Sequence, residues 1–185
     1  MPSPLEAVTT YFHAKDENRP FLMGQAFAED IRLEMIVKTE AISFPGSANG
    51  LAEVEEVLVR RIATDFENVY TFGLARPTEA HRRHFPCHWL VAMSARNGGA
   101  VRVGSGHYDW YFSPDAPGLV EKLIITIDVM QVLPADELGR VMSWVGRLPY
   151  PWCTPGEVVA GMPRIEALTP VERYLKEARP IPPEN

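Results

Sequence analysis

A chain of 185 residues that is 46% hydrophobic suits one domain with a substantial core, and its net charge of −6 argues against nucleic acid or an anionic membrane as a partner. No apolar run is long enough to span a bilayer, and the first residues lack the basic and apolar regions of a signal peptide. Cys87 and Cys153 are too far apart to be a disulfide framework, so we predict reduced thiols in a cytoplasmic protein.

The first part of the chain reads as helices followed by a strand and a further helix. Ser3-Pro4-Leu5-Glu6 is a helix-start pattern, because serine can cap, proline suits the first turn, and the glutamate can complete a capping box. The predicted elements are a helix from Leu5 to about Asp16, a short helix over Pro20–Phe27, a strand over Asp30–Lys38, a segment Glu40–Phe44 that pairs back on it, a loop over Pro45–Gly50, and an amphipathic helix over Leu51–Phe66.

Strands dominate the middle of the chain, and prolines and short helices dominate its end. Asn97-Gly98-Gly99 predicts a hairpin turn. Capping patterns predict short helices that begin at Thr154 and Thr169 on a proline-rich tail. The remaining predicted elements are strands over Asn68–Leu74, Phe85–Arg96, Ala100–Phe112 and Leu119–Val132, and a helix over Ala135–Leu148.

The strand Ala100–Phe112 carries the strongest functional pattern. Alternate side chains of a strand face opposite ways, so one face carries a titratable cluster and the other an aromatic stripe. Gly104 and Gly106 predict a bulge or sharp curvature. We predict that the titratable face walls a pocket and that the aromatic face packs or forms a dimer surface. The titratable face holds Ser105, His107, Asp109 and Tyr111, and the aromatic face holds Tyr108, Trp110 and Phe112.

The order of elements and four local motifs resemble the NTF2-like superfamily, in particular its SnoaL-like and scytalone-dehydratase-like branches. The resemblance implies an α+β cone, in which a strongly curved, mainly antiparallel sheet wraps N-terminal helices and encloses a pocket, and it implies a homodimer. It covers a domain of residues 1–133, and residues 134–185 form a helical, proline-rich extension that we expect to pack on the same domain. The motifs are Tyr11-Phe12-His13-Ala14-Lys15-Asp16, Phe27-Ala28-Glu29-Asp30, Gly50-Leu51-Ala52-Glu53-Val54 and Gly106-His107-Tyr108-Asp109-Trp110-Tyr111.

The resemblance implies Asp16 and His107 as a catalytic acid/base pair inside the pocket. Asp16 matches the acidic position after the first helix, and His107 matches one of the histidines on the sheet. A second histidine of that branch falls near Thr71, which is a departure. In the alternative interpretation, Asp16 only ends its helix and His107 is a hydrogen-bonded wall residue. The predicted substrate-binding residues are Tyr11, Thr71, His88, Asp109 and Tyr111.

Other chemistries find little support in the sequence. His81, His84, Cys87 and His88 are all possible metal ligands, but their spacing matches no closed zinc signature, so we predict no metal. The chain lacks a G-x-S-x-G elbow, a phosphate-binding glycine loop and a dinucleotide fingerprint, so we predict no cofactor.

Two functional hypotheses stay open. The first is a cofactor-independent lyase or isomerase that acts on a small, largely apolar compound with a carbonyl or hydroxyl group. The second is a non-catalytic ligand-binding or dimerisation module, which the missing second histidine favours. The enzyme hypothesis gains if Asp16 and His107 line one cavity.

Overall fold

Six strands form one mixed sheet in the computed structural model, which describes residues 1–184 of the chain. The strands are β1 (Phe27–Val37), β2 (Ser47–Asn49), β3 (Phe66–Gly73), β4 (His84–Ala95), β5 (Val101–Phe112) and β6 (Val120–Leu133). Their order across the sheet is β2-β1-β6-β5-β4-β3. The β1–β6 pair is parallel and the other pairs are antiparallel, as the prediction of a mainly antiparallel sheet required.

Helices lie before, between and after the strands. The first begins at the predicted capping box, where the Glu6 amide donates to Ser3 Oγ at 3.2 Å and the Ser3 amide donates to Glu6 Oε2 at 2.7 Å. The helices are α1 (Pro4–Asp16), α2 (Met23–Ala26), α3 (Leu51–Glu55), α4 (Arg61–Asp65), α5 (Leu138–Val145), α6 (Pro155–Gly161) and α7 (Thr169–Glu177). The π-helical segment Glu56–Arg60 joins α3 to α4 without a break. In the described residues, no helix is long and apolar enough to cross a membrane.

The sheet is irregular where the two glycines of β5 lie. The register against β6 shifts between Ser105 and Gly106, which confirms the predicted bulge. A Cβ atom at position 106 would collide with the carbonyl oxygen of Thr126, so a close approach of β6 requires glycine there. The bulge increases local twist, and the sheet therefore curves around the N-terminal helices.

The concave face of the sheet packs on α1 through aromatic rings. Tyr11 of α1 contacts Trp110 and Tyr108 of β5, with ring centroids 5.2 Å and 6.2 Å away, and Phe27 at 5.6 Å. All four rings are buried. Such edge-to-face pairs each contribute roughly 0.5–1.5 kcal/mol beyond the area they bury, so this cluster fixes α1 against the sheet.

The outer face of the sheet is covered over β3, β4 and β5 by the C-terminal extension. Val141, Val145 and Leu175 of the extension form a second buried cluster with Leu90 and Val103 of the sheet. Both faces of β4 are therefore covered, which explains why that strand reads as an almost unbroken apolar run rather than an alternating one.

Two local predictions are wrong. The segment that pairs back on β1 is Ser47–Asn49 and not Glu40–Phe44, because Ala48 lies opposite Leu33 and the earlier residues form the connecting loop. Thr169 does not cap α7. A 3-10 turn over Glu166–Leu168 precedes it and already has helical geometry, so Leu168 occupies the cap position without a side-chain bond.

Candidate functional site

A cavity lies between the helices and the concave face of the sheet. Its walls are mainly aliphatic, methionine and aromatic side chains, and the centres of water-sized molecules have about 50 Å³ available in it. That space holds a few water molecules, so a ring-sized ligand requires some movement of the wall. The polar side chains in the wall are Tyr11, Lys15, Thr71, Trp89 and Tyr108.

One end of this cavity is built on a buried ion pair. Lys15 Nζ lies 2.9 Å from Asp16 Oδ1, and the two side chains are only 9% and 2% exposed. Lys15 also donates to Thr71 Oγ1 at 2.6 Å. Lys15 belongs to the wall of the cavity, whereas the Asp16 carboxylate lies behind it. The ammonium group is therefore the charged group nearest to any ligand.

The Asp16 carboxylate is fully engaged by donors. Its Oδ1 accepts hydrogen bonds from Lys15 and from Thr71 Oγ1 at 2.8 Å, and its Oδ2 accepts from the Thr71 amide at 2.6 Å and from Tyr150 Oη at 3.0 Å. A carboxylate has about four lone-pair positions, and these four bonds use them. Asp16 therefore holds the end of the cavity together and is not free to abstract a proton as the structure stands.

The remaining polar groups in the wall are neutral donors. Burial raises the pKa of Tyr11 and of Tyr108 well above the usual range, so both phenols keep their protons at physiological pH. The indole nitrogen of Trp89 is buried and has no acceptor in the described chain. A buried N–H without a partner costs free energy.

His107 lies on the opposite face of the sheet. Its Nδ1 is 3.1 Å from Asp128 Oδ2, which also accepts from Tyr174 Oη at 2.9 Å, while Lys38 lies 2.7 Å from Oδ1. Burial acts to raise the pKa of Asp128, but the bonds from Lys38, Tyr174 and His107 prevail and the pKa is lowered. This cluster joins the sheet to α7 of the extension.

Two further histidines on the outer face also form hydrogen-bond contacts with the C-terminal extension. His88 contacts Tyr174 Oη through Nδ1 at 3.0 Å and the Arg179 carbonyl through Nε2 at 2.9 Å. His84 Nε2 is 2.9 Å from Asp109 Oδ1, and its Nδ1 accepts from the Glu184 amide at 2.8 Å.

Tyr111 belongs to the same group on the outer face. Its ring stacks on His84 with centroids 4.5 Å apart, and its hydroxyl donates to Glu184 Oε2 at 3.0 Å. The predicted substrate-binding residues His88, Asp109 and Tyr111 therefore hold the C-terminal segment on the outer face.

The predicted acid/base pair of Asp16 and His107 does not meet. The aromatic face of β5 packs on α1, so Tyr108 and Trp110 point into the interior. Because alternate side chains of a strand face opposite ways, His107 points to the outer face. The prediction that the titratable face of β5 walls the pocket is therefore wrong. Of the predicted substrate-binding residues, Tyr11 and Thr71 do line the cavity.

The sequence analysis missed Lys15 and Tyr150. The signal for Lys15 was present, because a lysine four residues after Tyr11 and seven after Val8 lies on the apolar face of α1. No local signal marks Tyr150, which reaches Asp16 only through the path of the extension.

The histidine and cysteine cluster of β4 does not converge on one point. Cys87 is buried among the interior residues, whereas His84 and His88 face the extension. His81 lies in the preceding loop, where its ring contacts Phe85 at 5.0 Å.

Neither a protein-family model nor a curated protein matches the sequence. Solved structures match at 14% identity. An NTF2-like protein from Burkholderia thailandensis E264 has a TM-score of 0.53, over 67% of this chain and 89% of that one. A hypothetical protein with a ketosteroid isomerase-like fold from Catenulispora acidiphila DSM 44928, in complex with trimethylamine, has a TM-score of 0.51, over 64% and 82%. A computationally designed 17-OHP binder has a TM-score of 0.53, over 70% and 98%.

The chain therefore has the NTF2-like fold, an α+β arrangement of a curved sheet around helices, as the resemblance predicted. At this identity the likeness shows the fold alone, and the SnoaL-like or scytalone-dehydratase-like branch stays a prediction.

Proposed function

We propose that the protein binds a small, largely apolar compound with a carbonyl or hydroxyl group in the cavity of the concave face. The observation that carries the proposal is the Lys15 ammonium group, which belongs to the only charged side chain that the described residues place in the wall of a mainly apolar cavity and is buried there. Binding sites for small molecules combine apolar walls with a few placed polar groups, and this cavity has that composition.

A cavity-filling variant tests this proposal. Ile125 lines the cavity, and Ile125→Phe adds a ring to the space that a ligand needs. We expect single-ring apolar compounds to raise the melting temperature of the wild type and of His107→Ala, which changes only the outer face, but not of Ile125→Phe. Equal shifts in all three proteins would place the binding outside the cavity.

A cofactor-independent lyase or isomerase is the second candidate. One observation favours it: hydrogen bonds among Lys15, Thr71, Asp16 and Tyr150 hold the Lys15 ammonium group at the cavity end. When hydrogen-bonded to a bound carbonyl oxygen, this group would stabilise the enolate that forms as water takes the proton from the neighbouring carbon. Hydrogen–deuterium exchange at the carbon next to the carbonyl of acetophenone, followed by NMR, tests it. Exchange must depend on Lys15 and be unaffected in His107→Ala.

The remaining expectations are proposals as well. We propose that residues 1–133 form the ligand-binding domain and that residues 134–185 complete it, a division supported by the contact of Tyr150 with Asp16. A cytoplasmic location is supported by two buried, unpaired cysteines, Cys87 and Cys153. A homodimer rests on the resemblance, and sedimentation velocity tests it.

A further inference from the structure

Two donors in the cavity wall have hydrogens without acceptors in the described residues. The Lys15 ammonium group has three N–H bonds, and Asp16 Oδ1 and Thr71 Oγ1 accept two of them. Trp89 is 3% exposed and its Nε1 has no acceptor. We propose, building on the binding function above, that the ligand group at this end is a neutral carbonyl oxygen that accepts a hydrogen bond from Lys15.

The charge balance of the site argues against an anionic ligand. Lys15 and Asp16 already neutralise each other, and both side chains are at least nine-tenths buried. A carboxylate or phenolate beside Lys15 would add a second negative charge near Asp16 in a medium that screens poorly. A desolvated charge without its own counter-charge is strongly disfavoured, whereas a carbonyl oxygen leaves the site neutral.

The supply of acceptors argues against ligands that must donate. Both oxygens of Asp16 already accept two hydrogen bonds each, and Thr71 Oγ1 accepts from Lys15 while donating to Asp16. A ligand hydroxyl here must place its proton on a neutral oxygen, either the remaining lone pair of Thr71 Oγ1 or a phenol oxygen of Tyr11 or Tyr108, whereas a carbonyl oxygen needs no acceptor. An ammonium ligand would meet the Lys15 charge. The ligand class is a neutral ketone, lactone or quinone on an apolar body.

Four single-ring compounds of similar size separate these classes. We expect acetophenone to bind the wild type about tenfold more tightly than ethylbenzene, which corresponds to about 1.4 kcal/mol. 1-Phenylethanol should bind less tightly than acetophenone, and benzoate most weakly. Dissociation constants come from ligand-observed NMR at pH 7. Ethylbenzene binding as tightly as acetophenone, or benzoate binding most tightly, overturns the carbonyl assignment and leaves the binding function intact.

A lysine-to-methionine pair identifies the donor. Lys15→Met keeps a similar shape and removes the ammonium group. We therefore expect the preference for acetophenone over ethylbenzene to disappear, with the two dissociation constants about equal. Lys38→Met, which removes an exposed lysine on the outer face, should keep the tenfold preference. If Lys15→Met does not fold, the wild-type series still decides the ligand class. Failure of all four compounds to bind would overturn both this inference and the proposed function.

Discussion

The hydroxyl group of Tyr150 donates a hydrogen bond of 3.0 Å to Oδ2 of Asp16, and this bond joins the C-terminal extension to the last residue of α1. A second bond joins the extension to the same helix, from Trp152 Nε1 to Thr9 Oγ1 at 3.0 Å. The backbone around these residues follows the edge of β3, where the Gly73 amide donates to the Pro151 carbonyl at 2.9 Å. The extension therefore covers the outer face and also reaches around the sheet edge to support the cavity end.

Tyr150→Phe removes one donor from a buried carboxylate and leaves the ring packing intact. We expect a loss of about 1–3 kcal/mol in the free energy of unfolding, because the Asp16 charge then lacks one of its four bonds. Urea denaturation measures it. Tyr70→Phe is the matched control, since the described contacts of Tyr70 are ring contacts, and it should change stability by less than about 0.5 kcal/mol. If both variants lost the same free energy of unfolding, the hydrogen bond from the Tyr150 hydroxyl would have no special role in stability.

Gly73 is the point where β3 and the extension pack most closely. A Cβ atom there would collide with the Trp152 ring and lie 3.3 Å from Phe12 Cε2. Gly73→Ala should therefore cost about 1–3 kcal/mol of stability. Gly139→Ala is the control, because nothing lies within 4 Å of its Cβ in α5, and it should be neutral or stabilising by up to about 1 kcal/mol. In a Trp152→Ala background the cost of Gly73→Ala should largely disappear.

Asp128 makes the attachment of α7 sensitive to acid. Its pKa is lowered in the folded protein below the ordinary value of 3.8, so its contribution to stability is present above that pH and is lost as the pH falls through the folded-state pKa. Asp128→Asn should therefore be less stable than the wild type at pH 7, and the difference should shrink below about pH 4. Urea titrations at several pH values measure this. A difference that stays constant down to pH 2.5 would contradict it.

Arg102 holds the loop between β1 and β2 over the cavity. Its Nε donates to the Ala41 carbonyl at 3.1 Å, and its guanidinium lies 5.1 Å from the centroid of the Phe66 ring. Ile42 and Phe44 of the same loop line the cavity, so we expect a loosened loop to ease ligand entry. Arg102→Met should raise the association rate of acetophenone severalfold in stopped-flow Trp fluorescence, while Arg96→Met, which affects the bond to Ala63, should not.

Much of the fold could be predicted because its signals are local. The capping box at Ser3, the bulge near Gly106 and the alternation of β5 each depend on a few neighbouring residues. The short strand Ser47–Asn49 could not be predicted in the same way. Its composition is typical of a loop, and its pairing depends on where β1 lies in space.

The amino-acid sequence by itself determined that β5 has one titratable and one aromatic face, that α1 carries Tyr11 and Lys15 on one side, and that the elements follow the NTF2-like order. Only the tertiary structure decided which face of β5 turns inward, because alternation is symmetrical until a helix packs on one side. It also decided the partner of Asp16: Tyr150 lies 134 positions away, and the two meet only because the extension wraps around the sheet edge.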